Sequence, residues 1–158
     1  MAYGLCSAFY FGAAVGDWTD PQNADLWQDG VKTLFDPCPA GWRVPRKGEP
    51  CLWSNFCFYV PGQEYPLSNA SPSEYVSGPE AGHHYYCTGT SGVTTWYPAM
   101  GGRDYRDGRY WLVSNWGMYW TSTIMDYVSY SLHLSYKYTY IDANYQRAYA
   151  LPVRCVRE

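Results

Sequence analysis

Charge is scarce in this chain: only 16% of its 158 residues are Asp, Glu, Lys or Arg, against about 25% in an ordinary domain. The net formal charge is −3, so the basic face that a nucleic-acid binder needs is missing. No apolar run reaches the ~18 residues of a membrane-spanning helix, and membrane insertion is not expected. Cys-x-x-Cys does not occur, which removes the zinc-ribbon and thioredoxin-type motifs. The stretch GTSGVTT lacks the lysine of a phosphate-binding loop. Phenylalanine is rare too, with 5 residues beside 18 Tyr and 8 Trp. The aromatic content is therefore made of rings that carry a polar handle.

The length suits one domain, residues 1–158, since single cores span about 100–200 residues. The N-terminus MAYGLCSAFYFGAAVGDW has no basic start, and Gly and Ser break its apolar stretch. No export signal is read there; either a leader has been removed or the protein leaves its cell another way, for example within a virion. Six cysteines, Cys6, Cys38, Cys51, Cys57, Cys87 and Cys155, are compatible with an oxidised extracellular domain and allow 15 pairings. Buried free thiols are an equally open reading. If one bridge forms, Cys38 to Cys155 is favoured; it would close a loop of ~100 residues or more, worth up to about 4–5 kcal/mol on the chain-entropy model.

Helical signal is sparse. Asp20 and Pro21 could start a short helix in DWTDPQNADLWQDGVKTLF. In RKGEPCLWSNFCFYV, Leu52, Phe56 and Tyr59 recur at helical spacing. Residues 61–101 are rich in Gly, Pro, Ser and Thr and read as long loops with at most a short strand or turn. From residue 96 the pattern turns to strands. Asp107-Gly108 marks a hairpin, GMYWTSTI and VSYSLHLSYKY are strand candidates, and AYALPVRCV reads as the last strand, with Pro152 suggesting an edge position or a strand end. Trp42 and Trp120 are expected as buried anchors, while Trp116 and Tyr119 fit either core or rim. The expected class is α+β, with short helices, a twisted antiparallel sheet and long loops.

The run SYSLHLSYKYTY asks for a separate explanation. Alternation puts Leu132 and Leu134 on one face of a strand and Ser131, His133 and Ser135 on the other, outward face. Tyr in strands can simply coat a sheet. After Tyr136 the alternation fails, however, and Tyr138, Tyr140, Asp142 and Asn144 crowd a segment with no apolar face. Tyr supplies rigid amphipathic area and Ser supplies adaptable hydrogen bonding, the pairing used by antibody loops. A binding surface explains the run better than sheet coating.

KTLFDPCPAGWRVP, PAMGGRDYRDGRYW, GMYWTST and RAYALPVRCVRE follow one another in this order. Together they resemble the major paralogous domain family of gut bacteria (FISUMP), which is similar to the C-type-lectin-fold variable proteins of diversity-generating retroelements in gut phages and bacteria. The resemblance spans most of residues 25–158 and is weak over 46–95. It implies a single C-type-lectin-like domain whose C-terminal part, 124–149, is rewritten by adenine mutagenesis, turning Asn codons into Tyr, Ser, Asp, His and others. The residues it marks as ligand-binding are Asp126, Tyr127, Ser129, Tyr130, Ser131, His133, Ser135, Tyr136, Tyr138, Tyr140, Asp142, Asn144, Tyr145 and Tyr149. Leu132, Leu134, Leu151, Val153 and Cys155 would form the fixed frame.

The sequence departs from calcium-dependent lectins, because Glu-Pro-Asn, Gln-Pro-Asp and Trp-Asn-Asp are all missing. No metal and no cofactor is expected. His83 and His84 are adjacent, so in a strand their rings point apart rather than at one ion. Asp104 and Asp107 read as turn residues rather than an acid pair. No cysteine has a local base that would make it a nucleophile, and no catalytic residue is assigned. The expected function is recognition of a protein or glycan receptor on a target cell surface. The protein would act as a phage receptor-binding protein on a virion tail or as a bacterial surface adhesin, displayed in several copies. A carbohydrate-binding lectin module is the alternative. An oxidase of the formylglycine-generating type, suggested by fold analogy alone, comes third.

Overall fold

Tyr, Thr, Val and Trp fill the second half of the chain, and such side chains fit a pleated, half-buried surface better than a helix. A computed structural model describes Gly16, Asp17, Thr19, Pro21 and residues 23–47, 73–86, 94–136 and 138–158. Its strands are β1 (Trp42–Arg43), β2 (Ser73–Val76), β3 (Gly82–Tyr86), β4 (Thr94–Pro98), β5 (Gly102–Arg103), β6 (Tyr110–Trp111), β7 (Trp116–Met125), β8 (Val128–Ser135), β9 (Thr139–Gln146) and β10 (Val156–Arg157). They form antiparallel sheets in the orders β1-β10, β2-β3-β4, β5-β6 and β7-β8-β9.

No helix occurs among the described residues, so the α+β class and its short-helix, C-type-lectin-like layout give way to a β-rich fold of several small antiparallel sheets. The stretch after Pro21 shows why. Asn23 Oδ1 accepts from the Asp25 amide at 2.9 Å, the Thr33 hydroxyl donates to the Leu26 carbonyl, and Gly30 adopts φ 72°. Local bonds of this kind compete with the helical ladder, and Pro37 and Pro39 prevent its extension. The second helix candidate, residues 46–60, lies outside the described residues beyond position 47.

The region read as loops also differs. Residues 73–98 hold three strands, in which His84 faces Trp96 and His83 faces Tyr97. Interrupting Gly and Pro residues hid three short runs that carry strand-type side chains. The expected last strand shortens to the bridge at Ala150 and to β10. Pro152 has no amide to give a ladder, although its carbonyl accepts from the Trp120 amide at 3.0 Å.

Two cores lie on opposite faces of β7-β8-β9. One is built from Met118, Trp120 and Leu151, with Trp27, Trp111, Trp116, Tyr145, Tyr149 and Val153 packed against it. The other joins Tyr119, Leu132 and Leu134 to the inner face of β2-β3-β4, where His83, Tyr85 and Tyr97 are buried. Tyr97 meets Tyr85 and Tyr119 edge-on at 5.6 and 5.3 Å. Two phenols of this layer are satisfied: Tyr85 Oη lies 2.9 Å from Thr139 Oγ1, and Tyr119 donates to the Pro98 carbonyl at 2.6 Å.

Asp36 organises the segment before β1. Its carboxylate accepts from the Cys38 and Val44 amides at 2.8 and 2.9 Å, and Lys32 lies 3.5 Å away. Cys38 is thereby held beside Cys155, and the two are disulfide-bonded with Cα atoms 5.7 Å apart. Trp120 is buried, whereas Trp42, expected as an anchor, is 43% exposed on β1, because a two-stranded ribbon with β10 offers nothing to cover it.

Candidate functional site

Cross-strand register decides which residues share a face. Trp116 faces Ser135, Met118 faces His133 and Trp120 faces Ser131 across β7-β8. Ser129 faces Tyr145 and His133 faces Tyr140 across β8-β9. The β9 register shifts between these pairs, so a bulge lies between Tyr140 and Ala143. A bulge of this kind re-aims the side chains around it.

On this face the rings run together. Tyr138 stacks on Tyr140 at 5.7 Å and Tyr140 on Trp116 at 6.3 Å. Trp116 meets His133 at 6.3 Å, and His133 stacks on Tyr145 at 5.0 Å. Tyr145 touches Trp111 and Tyr149, and Tyr149 meets Tyr105 edge-on at 5.0 Å. All of these except His133 are half-buried. Trp111, Trp116, Tyr145 and Tyr149 lean on the Met118–Trp120–Leu151 core.

The rim near Tyr105 is polar. Arg106 grips Asp104 through Nε at 3.0 Å and Nη2 at 2.6 Å. These bonds hold the Asp104 carboxyl below its ordinary range. Asp104 and Asp107 each also accept an amide two residues on, from Arg106 and Arg109, so they serve the turn of the β5-β6 hairpin. Burial pushes the Tyr145 and Tyr149 phenols up, which keeps both hydroxyls protonated as donors.

The residues marked from sequence fall into distinct places. Tyr138, Tyr140, Tyr145 and Tyr149 belong to the ring cluster, and half-buried Asp142 sits in the β9 bulge. Asp126 and Tyr127 form the exposed β7-β8 turn, where Asp126 takes φ 52°. Tyr130 pairs with exposed Asn144 on the reverse face, under the Lys47 ammonium at 3.6 Å. Tyr136 is 67% exposed and meets Tyr75 edge-on at 5.5 Å.

Ser129, Ser131, His133 and Ser135 are a correction: the expected outward face of β8 is buried. The sequence shows an amphipathic strand, but β8 is the central strand of its sheet and is covered on both sides. Small serines are what that packing admits. Their hydroxyls are used internally: Ser129 donates to the Thr121 and Thr123 carbonyls, and Ser131 Oγ lies 2.9 Å from His133 Nε2. Desolvation lowers the His133 pKa to about 4, so the imidazole is neutral at pH 7.

Ser131 and His133 have the spacing of a nucleophile and its base. Ser131 is fully buried, though, and Trp116 and Tyr145 flank the imidazole, which hydrogen-bonds no carboxylate among the described residues. A substrate has no approach, and the pair satisfies two buried polar groups. Among the described residues no three His, Cys, Asp or Glu side chains group as metal ligands, and no helix is long and apolar enough to cross a membrane.

Tyr105 and Trp111 are cluster members that sequence reasoning missed, and Trp116, left open between core and rim, is a third that it did not mark as ligand-binding. The signal for Tyr105 and Trp111 was the hairpin RDYRDGRYW itself, whose aromatic flanks had to pack on something. Comparison with protein-family models, with curated proteins and with solved structures returned no match.

Proposed function

We propose that this protein binds a receptor on a target cell surface through the aromatic face of β9, and that a diversity-generating retroelement varies that face. It would serve as a phage receptor-binding protein or a bacterial surface adhesin, a binder rather than an enzyme. The observation that carries the reading is the run of ring contacts from Tyr138 through Tyr140, Trp116, the buried His133, Tyr145 and Tyr149 to Tyr105. Tyr and Trp dominate binding hot spots because they bring large area at small entropic cost. Here Trp116, Tyr140 and Tyr145 sit on strands and Tyr105 in a short hairpin, so little ordering of these backbones remains for the moment of binding. Several copies on one particle would add avidity to weak single contacts.

Sequencing the 3′ end of the gene across the source population tests the reading. Substitutions should concentrate at adenine-containing codons within 124–149, above all at Tyr127, Tyr138, Tyr140, Asn144 and Tyr145, and spare Leu132 and Leu134. Variation spread evenly along the gene, with no such concentration, would remove the retroelement from the account. Loss of staining of target cells by multimerised protein carrying Tyr138→Ala and Tyr140→Ala tests the face itself.

A further inference from the structure

The outer face of β2-β3-β4 carries a separate concavity of about 470 Å³, lined by Val76, Glu80, His84, Trp96 and Pro98. We infer that it is a saccharide-binding groove in which the Trp96 indole is the platform for a pyranose ring. The inference does not depend on diversification of the β9 face, because none of these residues belongs to that face.

The platform is built by a glycine. Val76, Gly82 and Pro98 lie in one cross-strand row, and His84 and Trp96 in the next. Gly82 and His84 are two apart on β3, so both rows project to the same side of the sheet. With no side chain at Gly82, the Trp96 ring lies directly across it: a Cβ there would come within 2.6 Å of two indole carbons. One side of the ring therefore rests on backbone and the ring lines the concavity. His84 closes one flank, its ring centroid 4.4 Å from that of Trp96. From behind, Arg154 donates to the Trp96 carbonyl at 2.5 Å and to Thr95 Oγ1 at 2.6 Å, which fixes the strand that carries the indole.

The chemistry of the lining selects the ligand class. An aromatic plane attracts the C–H face of a pyranose, whose hydrogens are slightly positive against the negative ring face. Sugar hydroxyls need donors and acceptors at the edge, and the Glu80 carboxylate and the His84 imidazole supply both. Neither has a hydrogen-bond or ion-pair partner among the described residues, so both are available. The carboxylate disfavours an anion. A single indole is too little for a quaternary ammonium, which wants several rings around it. The volume falls in the range of small-molecule sites, about 300–1,000 Å³.

A glycan array of neutral and acidic pyranose oligosaccharides, probed with the whole protein, tests this. Wild type should bind neutral structures. Trp96→Ala should weaken that binding at least about tenfold. Glu80→Gln, at an exposed position that leaves the fold intact, should weaken it as well, and circular dichroism checks both variants. Tyr138→Ala/Tyr140→Ala should keep it. Binding that survives Glu80→Gln and Trp96→Ala but is lost with the two tyrosines would move the sugar to the β9 face and overturn the groove. Failure of wild type to bind any glycan would overturn it too, without touching the receptor reading, whose own test is variation and cell staining.

Discussion

The hydroxyl of Ser131 and the Nε2 of His133 meet at 2.9 Å in the interior of the sheet, beneath Tyr145. Two polar groups from the run that looks most like a contact surface are thus part of the frame. What that run displays is the aromatic row on the next strand.

His133 makes stability depend on pH. Its folded pKa of about 4 lies below the ordinary 6.5 because burial disfavours the charged ring. The unfolded chain therefore binds the proton first as pH falls. Stability is fully present above pH 6.5, declines between 6.5 and 4, and is lower by roughly 3 kcal/mol below that window. His83 is lowered for the same reason and adds in the same direction. Urea melts between pH 7.5 and 4.5 should show the midpoint falling, with a shallower slope in His133→Phe. A midpoint constant over that range would contradict the burial of both rings.

Arg147 is paired with Asp17 at 2.5 Å, and both side chains are buried. At Asp17 Oδ2 the contact is an ion pair rather than an aligned hydrogen bond. Arg147→Met should cost about 3–5 kcal/mol, since it leaves a carboxylate buried without its counter-charge. Combining it with Asp17→Ala should recover much of that loss. A double-mutant cycle on denaturation free energies measures the coupling.

The Cys38–Cys155 bond spans a sequence separation of 117. On the chain-entropy model a loop of that size is worth about 4–5 kcal/mol. Melting with and without dithiothreitol should show a large drop on reduction, and Cys155→Ala should reproduce it. Equal melting temperatures would mean that the sheets hold without the bond.

Tolerance to substitution should divide along burial. Tyr127→Ala and Asn144→Ser should change stability by no more than about 0.5 kcal/mol, because both side chains are exposed. Leu134→Ala should cost about 2–5 kcal/mol, and Ser131→Tyr should be at least as damaging, since neither position has any exposure. If a retroelement does rewrite this segment, folded variants should carry only small residues at Ser129 and Ser131. Thermal melts of a displayed library read this directly.

β7 and β8 were legible because periodicity carries over eight or more residues there, whereas β9 was not, since the polar aromatics after Tyr136 show no apolar face and read as a turn. Leu132 and Leu134 were placed correctly, and the hairpin at Asp107-Gly108 followed from its turn residues. The outward placing of Ser131 and His133 failed because alternation distinguishes two faces but cannot say that a central strand is covered on both. The strands at 73–98 were missed because short aromatic runs between Gly and Pro carry too few residues to show a period. The helix expected after Pro21 failed because Asn23, Thr33 and Gly30 supply turn contacts that outweigh a weak apolar stripe. The ring cluster joins Tyr105 to Tyr149 and Trp111 to Tyr145 across more than thirty positions of chain, a relation that only tertiary packing creates.

The covalent tie between Cys38 and Cys155 also sets how the molecule bears load. Suppose a bound cell pulls on β9 while the protein is anchored through chain on the far side of either cysteine. The shortest covalent route between the two attachment points is then the stretch from Gln146 to Cys155. Tension follows that route and bypasses the long arc through β2, β3 and β4. Under flow those strands could come apart without lengthening the tether, and the grip would outlast the loss of half the sheets.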